Sequence, residues 1–341
     1  KRLTTEEPET PTRPVEPSQP EEPVPPEEPT HPEEPTHPDI PTTPSEPAQP
    51  VYSTSALALF SLGDLSTQAL LDQTTLGHVR YRHANIRSRV QTGLWVDMAH
   101  HHIKSNTLEN TRSKVTFNTM TLGYDTSLGQ SPWLMGALFS TAKGNHEARP
   151  IEPRIKGDFN HWSGSLYATY LRDNGAYINV IGTLSRLSQD LGTSMLDGTP
   201  VSGKLKSRGS GISVELGHKL ALTSTFFVEP SLQLTYAHYR AHNTALSNGM
   251  TMSDTSFNSL TARAGLSAGA KLRRDGETFG EVWLNAGVLR ELKGQSHMRI
   301  NSVSFSDTLL GTRYYYGVGA DLAVSESLKL YAAAEHQNGR L

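Results

Sequence analysis

Fourteen histidines and no cysteine bound the chemistry open to this 341-residue chain. Three of the histidines are consecutive, His100, His101 and His102. In an extended segment alternate side chains diverge, so at most His100 and His102 share a face. Their surroundings read as a loop, which makes them solvated side chains; the competing reading is a metal site. His146, His161, His238, His242 and His297 are spread over many loops. A hydrolase would need such groups gathered at one rim. Without cysteine there is no disulfide, no thiolate nucleophile and no Cys-based zinc site. The sequence has no phosphate-binding loop and no HExxH. No cofactor is expected.

The elements that would position these groups fall into two unlike parts. Sixteen of the 21 prolines lie in the first fifty residues, with EEPTHP repeated at 27–32 and 33–38. That head carries a charge of -9, which leaves +6 on the rest of a chain whose total is -3. Proline removes ladder donors and fixes φ, so 1–50 is expected to be a disordered, extended spacer, stretched further by its glutamates. Its acidity argues against nucleic-acid binding. Residues 54–76 read as a helix: Ser55 caps it, and Ala56, Leu59, Leu62, Leu65, Ala69 and Leu76 recur near helical spacing. Asp64, Gln68 and Asp72 belong to that helix.

From about residue 88 the period is two. Val228, Leu232, Leu234 and Tyr236 alternate with Glu229, Gln233 and Thr235, and Ile212, Val214 and Leu216 with Ser213 and Glu215. Leu260, Ala262, Ala264 and Leu266 alternate with Thr261, Arg263 and Ser267, and Tyr314, Tyr316 and Val318 with Arg313 and Tyr315. In Ala176–Ser185 only Ile181 breaks the rule. Eleven strands are expected, near 89–99, 114–125, 132–142, 159–172, 175–187, 204–219, 225–240, 256–272, 278–291, 311–324 and 328–337. No run approaches about 18 apolar residues, which excludes a transmembrane helix, whereas a membrane strand needs only alternation over about ten. Short turns at 172–175, 274–276 and 325–327 alternate with long loops at 100–112, 143–157, 188–203 and 241–254. That is the pattern of an antiparallel up-and-down transmembrane β-barrel. Trp133, Tyr170, Tyr177, Tyr236, Tyr314 and Tyr331 are expected at its interface girdles. Pro230, inside a strand pattern, is expected at a bulge. Glycines on the inner side would leave room for a helix to pass.

Several segments match family patterns in order. Phe227-Val228-Glu229-Pro230 with Leu234 and Tyr236 looks like an "LEPxxxLxY" strand. Phe279-Gly280-Glu281-Val282 through Arg290-Glu291-Leu292 looks like "PYAELNWLHEF". Asn301–Phe305, Gly311-Thr312-Arg313, Gly317–Ala320 and then Leu328, Leu330, Tyr331 and Ala332 follow the next hairpin and the penultimate strand. Together they resemble the C-terminal translocator of monomeric autotransporters (type V secretion), of the pertactin and diffuse-adherence-adhesin type.

The resemblance implies a spacer at 1–50, a helical linker at 51–86 threaded through the pore, and a twelve-stranded barrel from 87 to 341. It implies the outer membrane of a Gram-negative bacterium, an N-terminal passenger carried to the cell surface, and contact with outer-membrane lipid and the barrel-assembly machinery. About eleven strands are present. The closing strand with its terminal aromatic residue has no counterpart, so a truncated or excised piece is expected. Asp97, Glu229, Gln233, Arg263, Glu281 and Arg313 would line the pore, facing Asp64, Gln68 and Asp72 of the helix. Members that cut their own junction use a paired Asn and acidic barrel residues. No Asn-Asn occurs between 54 and 85, so Asp64, Asp72, Asp97 and Glu229 read as structural pore groups, with a proton-handling set as the alternative. The chain is thus expected to be a translocator and anchor, not an enzyme. The competing readings are a soluble all-β adhesin module and an outer-membrane barrel hydrolase.

Overall fold

A computed structural model describes residues 93–106, 112–129, 131–149, 155–195, 198–308, 310–324 and 329–339. The expected spacer, and the helix with Asp64, Gln68 and Asp72, lie outside the described residues. Within them regular structure is entirely β: β1 (Gly93–Asn106), β2 (Arg112–Ser127), β3 (Trp133–Arg149), β4 (Ile155–Leu171), β5 (Ala176–Ser194), β6 (Pro200–His218), β7 (Leu220–Ala221), β8 (Phe226–Ala241), β9 (Thr244–Ala245), β10 (Thr251–Arg274), β11 (Glu277–Glu291), β12 (Gln295–Ile300), β13 (Val303–Thr308), β14 (Thr312–Ala323) and β15 (Lys329–Gly339).

One antiparallel sheet runs β1-β2-β3-β4-β5-β6-β8-β10-β11-β14-β15, so the expected eleven-strand up-and-down order is what forms. Among the described residues β1 and β15 pair only with β2 and β14. The β12–β13 hairpin pairs onto β10. The polar side chains face a concave inner surface and are buried; the apolar ones face out and are exposed. On β4, Ser163, Ser165, Tyr167 and Thr169 are buried while Trp162 and Leu166 are exposed, Leu166 at 72%. Leu94, Met98 and Leu184 are each 70% exposed. A soluble protein rarely shows a continuous apolar patch beyond a few hundred Å². Here an outward apolar band crosses the sheet from β1 to β15, which a soluble all-β module would not show. On β4 the band runs from Trp162 to Tyr170, about nine residues, which is the length a tilted membrane strand needs. Aromatic pairs mark its edges: Trp133 with Tyr170, ring centroids 5.1 Å apart, and Phe139 with Trp162 at 5.5 Å.

The strands are longer than the sequence suggests, and most of the four expected long loops are strand. β1 continues to Asn106 and β3 to Arg149, β5 reaches Ser194, and β6 begins at Pro200. Past the apolar band the two faces exchange character. On β4 the outward residues become Lys156, Asp158 and Asn160, all exposed, while Ile155 and Phe159 are buried inside. On β5 Leu187 and Leu191 turn inward past Ser185. Ile155 and Leu191 join Met195, Val201, Leu205, Met250, Met252, Met298 and Ile300 in an apolar core, with Phe305 of β13 packed against it, while Phe159 and Leu187 pack with Val115, Phe117 and Ala142. The strands carry on into water, where the usual rule of apolar inside and polar outside resumes.

Other expectations are corrected. His100–His102 lie in β1, not in a loop. Tyr177 is buried on the inner face, not in a girdle, because its position in β5 has the inward parity. Pro230 is not at a bulge. β6 and β7 meet β8 in one register, Gly217 opposite Ser231 and Leu220 opposite Val228, and the ladder is interrupted opposite Pro230, which has no N–H to give. Nor do the inner glycines of these pairs leave open room. Trp283 lies on Gly319, directly opposite it, and Tyr177 lies on Gly217. A Cβ at either glycine would run into the ring, so the glycine is what lets the aromatic lie flat against the wall.

Candidate functional site

The inner face of β8, β10, β11, β14 and β15 carries a network of ionised groups. Arg263 on β10 makes two hydrogen bonds to Glu335 on β15, Nη2 to Oε2 at 2.8 Å and Nη1 to Oε1 at 3.4 Å. Its guanidinium lies 3.6 Å above the Tyr315 ring. Asn285 Nδ2 and Gln337 Nε2 donate to the same carboxylate, at 3.2 and 2.9 Å. Arg313 Nη1 reaches Gln337 Oε1 at 3.4 Å. Further down the wall Lys219 donates to Glu281 and sits 4.0 Å from the Phe227 ring centroid. Both members of that ion pair are less than a tenth exposed. Tyr177 Oη donates to Glu229 Oε1 at 3.1 Å, and Gln233 Nε2 to Ser213 Oγ at 2.9 Å.

The far side of the sheet is built alike. Trp95 Nε1 donates to Tyr167 Oη at 3.3 Å, and Tyr167 Oη to Asp125 Oδ2 at 3.1 Å. Hydroxyl pairs tie neighbouring strands, Thr121 with Ser140 and Ser165 with Thr183, each at 2.8 Å. Alternation places each of these groups: they share the parity of the buried positions, and the opposite parity carries the outer apolar residues.

All six side chains singled out from the sequence point to this inner face. Glu229, Gln233, Arg263, Glu281 and Arg313 stand on β8, β10, β11 and β14, whereas Asp97 is on β1. Asp97 and Glu229, the barrel half of the proton-handling alternative, stand six places apart in the sheet order. Lys219, Glu335, Asp125, Glu215, Glu291 and Asp321 were missed. Alternation already put Glu215 and Asp321 on the polar side without singling them out; Lys219 lies past the end of β6, and Glu335 is placed only by the β14–β15 register. Glu291 accepts from the hydroxyls of Ser259 and Thr261 and from the Leu260 amide, at 2.7, 3.0 and 2.8 Å. Carboxylates outnumber cations on this wall, so it is anionic.

The histidine run divides between the faces. His100 and His102 point outward to Asn118 and Thr116 across the strand, at 2.7 and 3.0 Å. His101 turns inward and stacks on Phe117, centroids 4.5 Å apart. Among the described residues no three His, Asp or Glu are grouped to hold a metal ion.

Known proteins share this architecture. The chain is 28% identical over 211 residues to the pertactin autotransporter of Bordetella parapertussis, covering 61% of this chain and 22% of that protein. It is 30% identical over 186 residues to the autotransporter adhesin/invasin TibA of Escherichia coli O78:H11, covering 54% and 19%. It thus spans about a fifth of the length of these relatives. The crystal structure of the β domain of the Bordetella autotransporter BrkA superposes with a TM-score of 0.55 at 22% identity, over 73% of this chain and 93% of that one. The translocator domain of the autotransporter NalP from Neisseria meningitidis gives 0.57 at 14% identity, over 80% and 93%. The autotransporter beta-domain family model matches residues 94–335. That match runs from the first strand of the curved sheet into its last, so one family accounts for the sheet as a whole, and the chain belongs to it: the autotransporter β-domains.

Proposed function

We propose that this chain works as an outer-membrane translocator and anchor, holding in the membrane the wall through which a passenger N-terminal to this chain is carried to the cell surface. Autotransporter β-domains are outer-membrane translocators and not themselves enzymes. The observation that carries the reading is the division of every membrane-crossing strand, apolar to the outside and polar to the inside. Such a wall meets hydrocarbon on one side and a water-filled passage on the other.

The anionic wall gives a reason for the segment before β1 to occupy that passage. Residues 78–89 hold Arg80, Arg82, Arg87 and Arg89 with no acidic residue among them. On this reading the linker at 51–86 occupies the pore, where an anionic wall favours a basic neighbouring segment. Residues 1–50 then serve as the extended spacer, and the barrel-assembly machinery inserts the strands. The test is an epitope placed ahead of residue 1 in cells expressing the chain. Antibody binding to intact cells, lost when the outer apolar band carries a charge, is the expected result. An epitope reached only after the outer membrane is permeabilised would overturn the proposal.

A further inference from the structure

Three arginines stand side by side on the outer face. Arg186 of β5 is directly opposite Arg208 of β6, and Arg208 is directly opposite Arg240 of β8. All three are exposed. Strands lie about 4.8 Å apart, so the three backbone positions fall within about 10 Å. Like charges directly opposite one another disfavour strand pairing. Among the described residues no carboxylate pairs with any of the three. Lys206, exposed one outward step beyond Arg208, adds to the charge. The nearest outward acid along β5, Asp190, is held by Lys204 at 3.1 Å. The opposite rim differs: there Arg274 lies 3.7 Å from Asp275.

The row has a defined place relative to the apolar band. Arg186 is the next outward residue after Leu184. Arg208 and Arg240 each follow the last outward apolar residue of their strand, Ile212 and Tyr236, with one polar position between. Trp162, at the band's edge, is directly opposite Arg186. The row therefore lies where hydrocarbon gives way to headgroups. It is at the end where the strands run on past the apolar band, which faces outside the cell. Guanidinium binds phosphate through two parallel N–H bonds, which an ammonium cannot do.

We propose that Arg186, Arg208 and Arg240 form a binding row for the phosphate groups of the phosphorylated glycolipid, lipopolysaccharide, in the outer leaflet. The inference rests on the outer-membrane reading above. A lipid fits better than a soluble anion because the row runs without a break into Leu184, Ile212 and Tyr236. A headgroup on the arginines would lay its acyl chains along those residues.

The full chain is reconstituted in phosphatidylcholine vesicles and titrated with fluorescently labelled lipopolysaccharide and with its dephosphorylated form. Folding is checked separately by resistance to detergent unfolding without heat. The wild type should bind the phosphorylated form saturably. R186Q/R208Q/R240Q should bind about tenfold or more weakly, as should the wild type with the dephosphorylated lipid, and the triple Arg→Lys variant should fall between. If the triple variant does not fold, R208Q alone, at the centre of the row, should still weaken binding several-fold. Equal binding of the two lipids, or of wild type and folded variants, overturns the proposal. So does displacement of the lipid by inorganic phosphate at matching concentration, which would make the row a site for a free anion. A wild-type chain that fails to insert overturns the outer-membrane reading and this row with it. A chain that inserts but ignores the phosphates overturns the row alone.

Discussion

Arg263 and Glu335 meet at 2.8 Å although two strands, β11 and β14, separate the strands that carry them. Three strand spacings are about 14 Å along the sheet. The pair closes that distance by lying across the concave wall, with the guanidinium on the Tyr315 ring and the carboxylate shared with Asn285 and Gln337. Their side chains are only 13% and 20% exposed, so each would be costly to leave alone. Glu335→Gln should destabilise the folded, detergent-solubilised chain by about 2–3 kcal/mol. Replacing both, as R263M/E335L, should recover most of that loss. Thermal unfolding of the singles and the double measures it; additive losses would show that the two residues are not coupled.

The outer face gives a prediction that separates membrane from water. Leu166 is 72% exposed on β4, between the two aromatic edges. In a soluble protein, an exposed Leu→Arg change usually costs within about 0.5 kcal/mol. In hydrocarbon it costs about 2–4 kcal/mol. Leu166→Arg should lower insertion into lipid vesicles sharply, whereas Asn160→Arg on the same outer face beyond the band should not. Equal insertion of the two variants would contradict the band's placement.

Trp283 and Gly319 test the flat inner wall. A methyl group at residue 319 has no space beneath the indole, so Gly319→Ala must lift the ring into the passage. The expected cost is about 1–3 kcal/mol in folded stability. The emission of Trp283, read with Trp95, Trp133 and Trp162 replaced by Phe, should shift to the red. An unshifted spectrum would mean that the ring does not rest on the glycine.

Met298 tests the apolar core beyond the membrane. It is fully buried on β12. Met298→Ala should cost about 2–5 kcal/mol locally and speed protease cleavage of the β12–β13 hairpin on intact cells. Insertion should be unchanged, because no outward residue of the band is touched. Loss of insertion would show that the core is needed for the membrane part as well.

The strict alternation of residues such as Leu232, Gln233 and Leu234 determined the strand count, the antiparallel order and which face of each strand is polar. In an antiparallel wall between two media, parity alone assigns each side chain to lipid or passage, and no distant contact is needed to know it. Ile181 broke the polar parity in the sequence and is in fact buried inside. The reach of the strands was not legible, because past Trp162 and Leu184 the alternation persists with its sense reversed. A lipid-facing pattern read onward from there looks like the end of the strand. Tertiary structure alone decided the pairing of Lys219 with Glu281 and of Arg263 with Glu335, and the alignment of Arg186, Arg208 and Arg240. Each depends on how far one strand is shifted against the next, and that register is fixed by the long-range ladder and the curvature of the sheet, not by any local run of residues.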